Sequence, residues 1–84
     1  MHINKDKYNA IKRLYGLSKD QYDGLIGRGC GICGEHWKLC VDHNHSTGKV
    51  RGVLCNSCNL GIANLKESTK LLASATRYLK RKSR

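Results

Sequence analysis

The chain has 84 residues and a formal net charge of +10, with 16 Lys plus Arg against 6 acidic groups. That length has room for one domain, and folding it buries only ~60–65% of the unfolded surface, so a staple such as a metal or disulfides is needed beside the apolar core. No apolar run approaches the ~18 residues of a membrane span, the first sixteen residues hold no apolar signal segment, and the charge points to a polyanionic partner, above all nucleic acid.

In chain order, residues 4–16 read as an amphipathic helix. Tyr8, Ile11, Leu14 and Tyr15 share one face, and Lys5, Lys7, Lys12 and Arg13 are left for solvent or phosphate. Gly16 is a stop, and Ser18 an N-cap for a second helix with Tyr22, Leu25 and Ile26 as its apolar face. Gly27 and Gly29 release that helix into Cys30. Leu39 to Asp42 predicts a strand, Ser46 to Lys49 a turn, and Val50 to Leu54 the returning strand of a hairpin. A helix from Cys55 or Asn56 carries Leu60, Ile62, Ala63 and Leu65. Ser68 and Thr69 then open a last helix with Leu71, Leu72, Ala75, Tyr78 and Leu79 on one face, and the chain ends in a basic tail that includes Lys80, Arg81 and Lys82. The fold class is α+β: a helical segment over 1–29, a core over 30–65, and a C-terminal helix with its tail over 66–84, all in one domain. Trp37 is expected to pack against the hairpin, Cys40 to be a small buried hydrophobe, and His2 to be solvated.

Four of the five cysteines form two CxxC pairs, Cys30/Cys33 and Cys55/Cys58. An odd count arranged this way, with no secretory leader, favours metal binding in a reducing cytosol over a disulfide framework. The spacing fits one tetrahedral zinc on four thiolates, a closed and therefore structural site. Ionised thiols and the ion together bring the working charge to about +8. Binding structural zinc is worth an apparent ~10–16 kcal/mol near neutral pH, more than so small a core supplies.

Asp42 and His43 end the first strand, and Asn59 follows the last zinc cysteine in the first turn of a helix. Neighbouring helical residues point about 100° apart, so Cys58 can face zinc while Asn59 faces the hairpin. Asp42 and Asn59 then offer two oxygen ligands suited to Mg²⁺, with Mn²⁺ as substitute, and His43 a general base for water attacking phosphorus. Lys49, Arg51, Lys80, Arg81 and Lys82 are candidates for DNA phosphate contacts. Each residue alone also has a structural reading: Asp42 as a turn cap, His43 or His45 bonded to backbone, Arg51 as an exposed strand charge.

The stretch Val41-Asp42-His43-Asn44-His45, with Cys30-Gly-Ile-Cys33-Gly before it and Thr47-Gly48-Lys49-Val50-Arg51-Gly52-Val53-Leu54-Cys55 and Cys58-Asn59 after it, resembles the recombination endonuclease VII family of phages, a branch of the HNH or His-Me finger nucleases. The resemblance covers roughly residues 30–79. It implies a zinc-stabilised ββα-metal fold, Asp42 and Asn59 as ligands of a catalytic divalent ion, and His43 as general base. His45 matches a second family histidine, which orients substrate or holds a phosphate. It further implies cleavage leaving 5′-phosphate ends, in a cytoplasmic phage or prophage protein of a bacterial host. The family's best-known member is a longer resolvase with further helices that build an intertwined dimer. This chain carries one C-terminal helix, so nicking of duplex DNA stands beside resolution of branched DNA, and monomer beside homodimer. The competing reading is a zinc-dependent DNA-binding module without catalysis.

Overall fold

The computed structural model describes residues 5–82, with side chains from Lys7 to Arg81. His2 and the side chains of Lys5 and Lys82 lie outside the described residues. The described residues form an α+β structure of four helices and one two-stranded antiparallel sheet. None of these helices is long and apolar enough to cross a membrane.

Helix α1 (Lys5–Tyr15) lies against α2 (Lys19–Arg28). The Tyr8 hydroxyl donates to Asp23 Oδ1 at 3.0 Å, the Tyr8 and Tyr22 rings meet edge to face, and Lys19 holds the other Asp23 oxygen at 3.0 Å. Lys19 keeps the Asp23 carboxyl below its ordinary range. Ser18 caps α2 as predicted, and the cap is reciprocal: its hydroxyl accepts from Gln21 N while the Gln21 side chain accepts from Ser18 N. Gly27 stays inside the helix, and Gly29 ends it.

Strands β1 (Leu39–His43) and β2 (Val50–Cys55) form the predicted hairpin, each one residue longer than expected. Successive strand residues point to opposite faces. Val53 and Leu54 are both buried, so β2 is covered on both sides. Helix α2 packs on β2, and α3 (Asn56–Asn64) packs on both strands. The core is small: Cys30, Leu54 and Cys55, with Leu39, Cys58 and Ile62 against them.

Helix α3 ends through two consecutive left-handed residues, Lys66 (φ 60°) and Glu67 (φ 52°). Glycine adopts this backbone cheaply; for other residues it costs on the order of 1–3 kcal/mol. The turn is closed by Glu67 N donating to Ile62 O at 2.7 Å. Ser68 then caps α4 (Thr69–Lys82), its hydroxyl accepting from Leu71 N. Three expectations need correction. Trp37 does not pack on the hairpin; it is 69% exposed, with Lys38 Nζ 5.6 Å from its ring centre. Leu14 and Leu60 are likewise mostly exposed, because α1 and α3 each bury a narrower stripe than their apolar spacing suggested. Cys40 is only half-buried, its thiol donating to Leu54 O.

Candidate active site

The first cysteine pair is built by backbone. Gly29 (φ 80°) turns the chain so tightly that a Cβ there would meet Gly34 O at 2.8 Å. Cys30 N donates to Glu35 O, Gly34 N to Cys30 O, and Gly31 N to Val53 O, which moors the knuckle to β2. His36 Nε2 reaches Gly27 O at 3.0 Å. The backbone N–H groups of Ile32 and Cys33 point at Cys30 Sγ. In the second pair Cys55 is the N-cap of α3, its sulfur accepting from Cys58 N at 3.4 Å. Helix and knuckle thus each aim two sulfurs at one point.

The ligand atoms of Cys30, Cys33, Cys55 and Cys58 all lie within 4.8 Å of one another, and Cys33 Sγ is 3.7 Å from Cys55 Sγ. Sulfurs on a tetrahedral zinc with Zn–S of about 2.3 Å stand about 3.8 Å apart. The four cysteines can therefore hold a metal such as zinc. Their ionisation agrees. Burial opposes charge on Cys30, but the N–H groups of Cys33, Cys55 and Ile32 outweigh it and bring that thiol down to about 6. Cys58 is pushed up to about 12, first by its sulfur contact with Cys55 and then by burial. A divalent cation among the sulfurs would offset the charge that metal-binding thiolates carry.

Asp42 is 8% exposed, and Arg51 holds both its oxygens in a fork: Nε to Oδ2 at 2.8 Å and one terminal guanidinium nitrogen to Oδ1 at 3.0 Å. A bulge makes this possible. Asp42 pairs with Gly52 and His43 with Val50, so Arg51 is the extra residue of β2. The same Arg51 nitrogen donates to Glu67 Oε1 at 2.8 Å, and Glu67 Oε2 meets His45 Nε2 at 3.1 Å. The two carboxylates, Asp42 first, raise the Arg51 pKa. His43 and His45 stand with ring centres 4.8 Å apart, and Tyr15 of α1 lies 5.9 Å from His43. Asn44 between them ties the loop: its side chain accepts from Ser46 N and Thr47 N, and its backbone N–H donates to Lys49 O.

The sequence profile of recombination endonuclease VII matches residues 8–81. The chain belongs to the recombination endonuclease VII family. It is 36% identical over 79 residues to the Gene 59 protein of Mycobacterium phage D29, covering 84% of this chain and 48% of that protein. It is 44% identical over 56 residues to the Gene 59 protein of Mycobacterium phage L5, covering 58% of this chain and 34% of that one. The chain thus spans about half or less of the length of these relatives. No solved structure matches.

Within this family member, the structure brings the four cysteines together, and separately joins Asp42, Arg51, Glu67, His45 and His43 in one contiguous cluster. Asn59 lies half-buried in the first turn of α3 beside Cys58. Arg51, expected on phosphate, engages Asp42 and Glu67. Lys49 is exposed in the hairpin loop. Lys80 and Arg81 are exposed at the end of α4, about 12 Å along the axis beyond Leu72 at ~1.5 Å per residue, with the Arg81 guanidinium 5.9 Å from the Tyr78 ring. Two residues escaped the sequence reading. Tyr15 gave no signal beyond its apolar spacing. Glu67 gave one: it is the only acid after Asp42 in a strongly basic chain.

Proposed function

We propose that this chain is a divalent-metal-dependent DNA endonuclease of the HNH, or His-Me finger, type, with a structural zinc. The observation that carries the reading is the buried Asp42 carboxylate beside His43, on a hairpin joined to α3 through the cysteine cluster. Membership of an endonuclease family and the charge of +10 support DNA as the substrate.

Asp42 and Asn59 supply an oxygen set of the kind a hard divalent ion takes, with Asp42 as the anionic member. Such an ion, when bound, offsets charge on the scissile phosphate and its leaving oxygen. The remaining work falls to side chains. His43 accepts the proton of a water whose oxygen forms the new bond to phosphorus. The P–O3′ bond breaks, the 3′-oxygen takes a proton from solvent, and the 5′-phosphate end is left. His45, whose ring centre is 4.8 Å from that of His43, and Arg51, which holds Asp42, would donate to non-bridging phosphate oxygens. Lys49 and the α4 tail hold the flanking backbone.

The test uses Mg²⁺ with a labelled four-way junction and a linear duplex of the same arm sequence, wild type beside His43→Ala. The variant should keep its fold and DNA affinity and lose about 10²–10⁴-fold in rate, the usual worth of a general base. Preference for the junction marks a structure-selective resolvase, whereas equal cutting of both substrates marks a nickase. A variant as fast as wild type would remove His43 from the mechanism. A second reading has one observation in its favour: the Arg51 fork satisfies both Asp42 oxygens, as a purely structural ion pair would. A non-catalytic zinc-dependent DNA-binding module predicts salt-sensitive binding with no cleavage under Mg²⁺ or Mn²⁺.

A further inference from the structure

We infer that Glu67 is a positioning residue of this site, acting through Arg51 and His45; the inference rests on the endonuclease reading above. Its carboxylate bridges two elements of the hairpin. Oε1 accepts from Arg51 at 2.8 Å, and Oε2 pairs with His45 Nε2 at 3.1 Å. One guanidinium nitrogen of Arg51 is shared between Glu67 and Asp42, at 2.8 and 3.0 Å. Glu67 thus competes with Asp42 for the same cation. It also fixes His45 beside His43, whose ring centre is 4.8 Å away.

Three further observations separate this from a casual surface pair. The Glu67 side chain is only 26% exposed. Its backbone is held in the left-handed region, directly after another non-glycine residue in the same region, where glycine would be the cheap solution. Strain of that kind clusters at working sites. And Arg51 reaches both acids only because the β2 bulge takes it out of the regular pairing. Strained turn and bulge lie on different elements and converge on one carboxylate–guanidinium–carboxylate array.

The array has a mechanical consequence. Arg51 takes one lone pair on each Asp42 oxygen and sets a positive charge against them, so while seated there it opposes a divalent ion at the same carboxylate. Glu67 offers the guanidinium a second seat a hydrogen bond away, so Arg51 can leave Asp42 yet stay on the carboxylate that holds His45 and meet phosphate there. Without Glu67, Arg51 has Asp42 alone and blocks it more firmly, and His45 loses its anchor.

The zinc-loaded full chain is compared as wild type, Glu67→Ala, Glu67→Gln, Glu67→Asp, Arg51→Ala and Glu67→Ala/Arg51→Ala. Four quantities are read: zinc content, Tm, Mn²⁺ affinity by electron spin resonance without DNA, and single-turnover cleavage with DNA affinity measured separately. Outer partners of metal sites typically contribute about 10–100-fold to affinity or activity, and Glu67→Ala should lose that much in Mn²⁺ affinity and in rate. DNA affinity should hold, and Glu67→Asp should recover part of the loss. The double variant should regain Mn²⁺ affinity, because the blocking cation is gone, while still cutting slowly. A merely structural Glu67 would lower Tm without this rescue. Should Glu67→Ala fail to fold, isosteric Glu67→Gln carries the comparison, and wild-type Mn²⁺ affinity and rate in that variant would overturn the assignment. If wild type itself neither binds Mn²⁺ nor cuts, the endonuclease reading falls and takes this one with it. If wild type does both and every Glu67 variant matches it, only the role of Glu67 falls.

Discussion

Asp42 is the only buried acid among the described residues, and it is placed there by a strand end that cannot slip. Its neighbours in β1 alternate faces, and the bulge at Arg51, between Val50 and Gly52, sets that arginine against it. Replacing Asp42 by Asn leaves the shape but turns one acceptor into a donor that faces the guanidinium. The expected outcome is loss of the Arg51 fork and, if Asp42 is the proposed ligand of a divalent ion, a rate lower by at least about 10²-fold while zinc content is unchanged; metal analysis beside a cleavage assay checks both. At this scale the sequence was partly legible. The four cysteines were legible because metal ligands follow short, fixed spacings, and Asp42 and His43 stood out as adjacent residues at a strand end. Glu67 does not, since its partners lie 16 and 22 residues upstream in the numbering and the contact depends on the direction in which α3 ends. Trp37 misled because size and apolarity say nothing of whether a loop turns inward.

Among the elements, the hairpin, both helix caps and the position of α3 were readable from local turn chemistry: Ser18, Ser68, Gly29 and the loop of Asn44 through Gly48 each satisfy nearby backbone groups. The bulge was not readable, because an extra residue in a strand leaves the pattern of residue types almost unchanged. Two substitutions separate caps from knuckle. Ser18→Ala breaks the reciprocal cap of α2 and should cost about 1 kcal/mol in thermal unfolding without altering cleavage, since Ser18 touches nothing in the site. Gly29→Ala should cost more, about 1–3 kcal/mol for the backbone region alone, with a clash against Gly34 O in addition. It should also lower zinc retention under a competing chelator, which Ser18→Ala should leave alone.

For the whole molecule, one small cluster of cysteines and aliphatics holds the hairpin, the knuckle and α3 together. Removing zinc with a strong chelator should therefore abolish tertiary structure, seen as loss of near-ultraviolet dichroism and of dispersed amide resonances. A folded metal-free protein would contradict the ~10–16 kcal/mol assigned to the ion. Acid should do the same as chelator, since each ligand must be a thiolate. The Cα trace extends 51 × 29 × 16 Å, so its long axis matches about 15 base pairs at ~3.4 Å each. The steepness with which added salt weakens binding counts the phosphates engaged, and replacing Lys80 and Arg81 together should make it shallower by about two.

The sulfur cluster also has a meaning in time. Cys30 and Cys58 bracket Asp42, His43, His45 and Arg51, and Asn59 comes directly after. If the ion supplies most of the folding energy, these groups are scattered along an unfolded, protease-sensitive chain until it joins the two ends. On this reading a newly synthesised molecule is harmless to DNA and open to degradation. Maturation in one step on zinc binding would then let the supply of a metal with no part in the proposed chemistry set how many active molecules a cell contains.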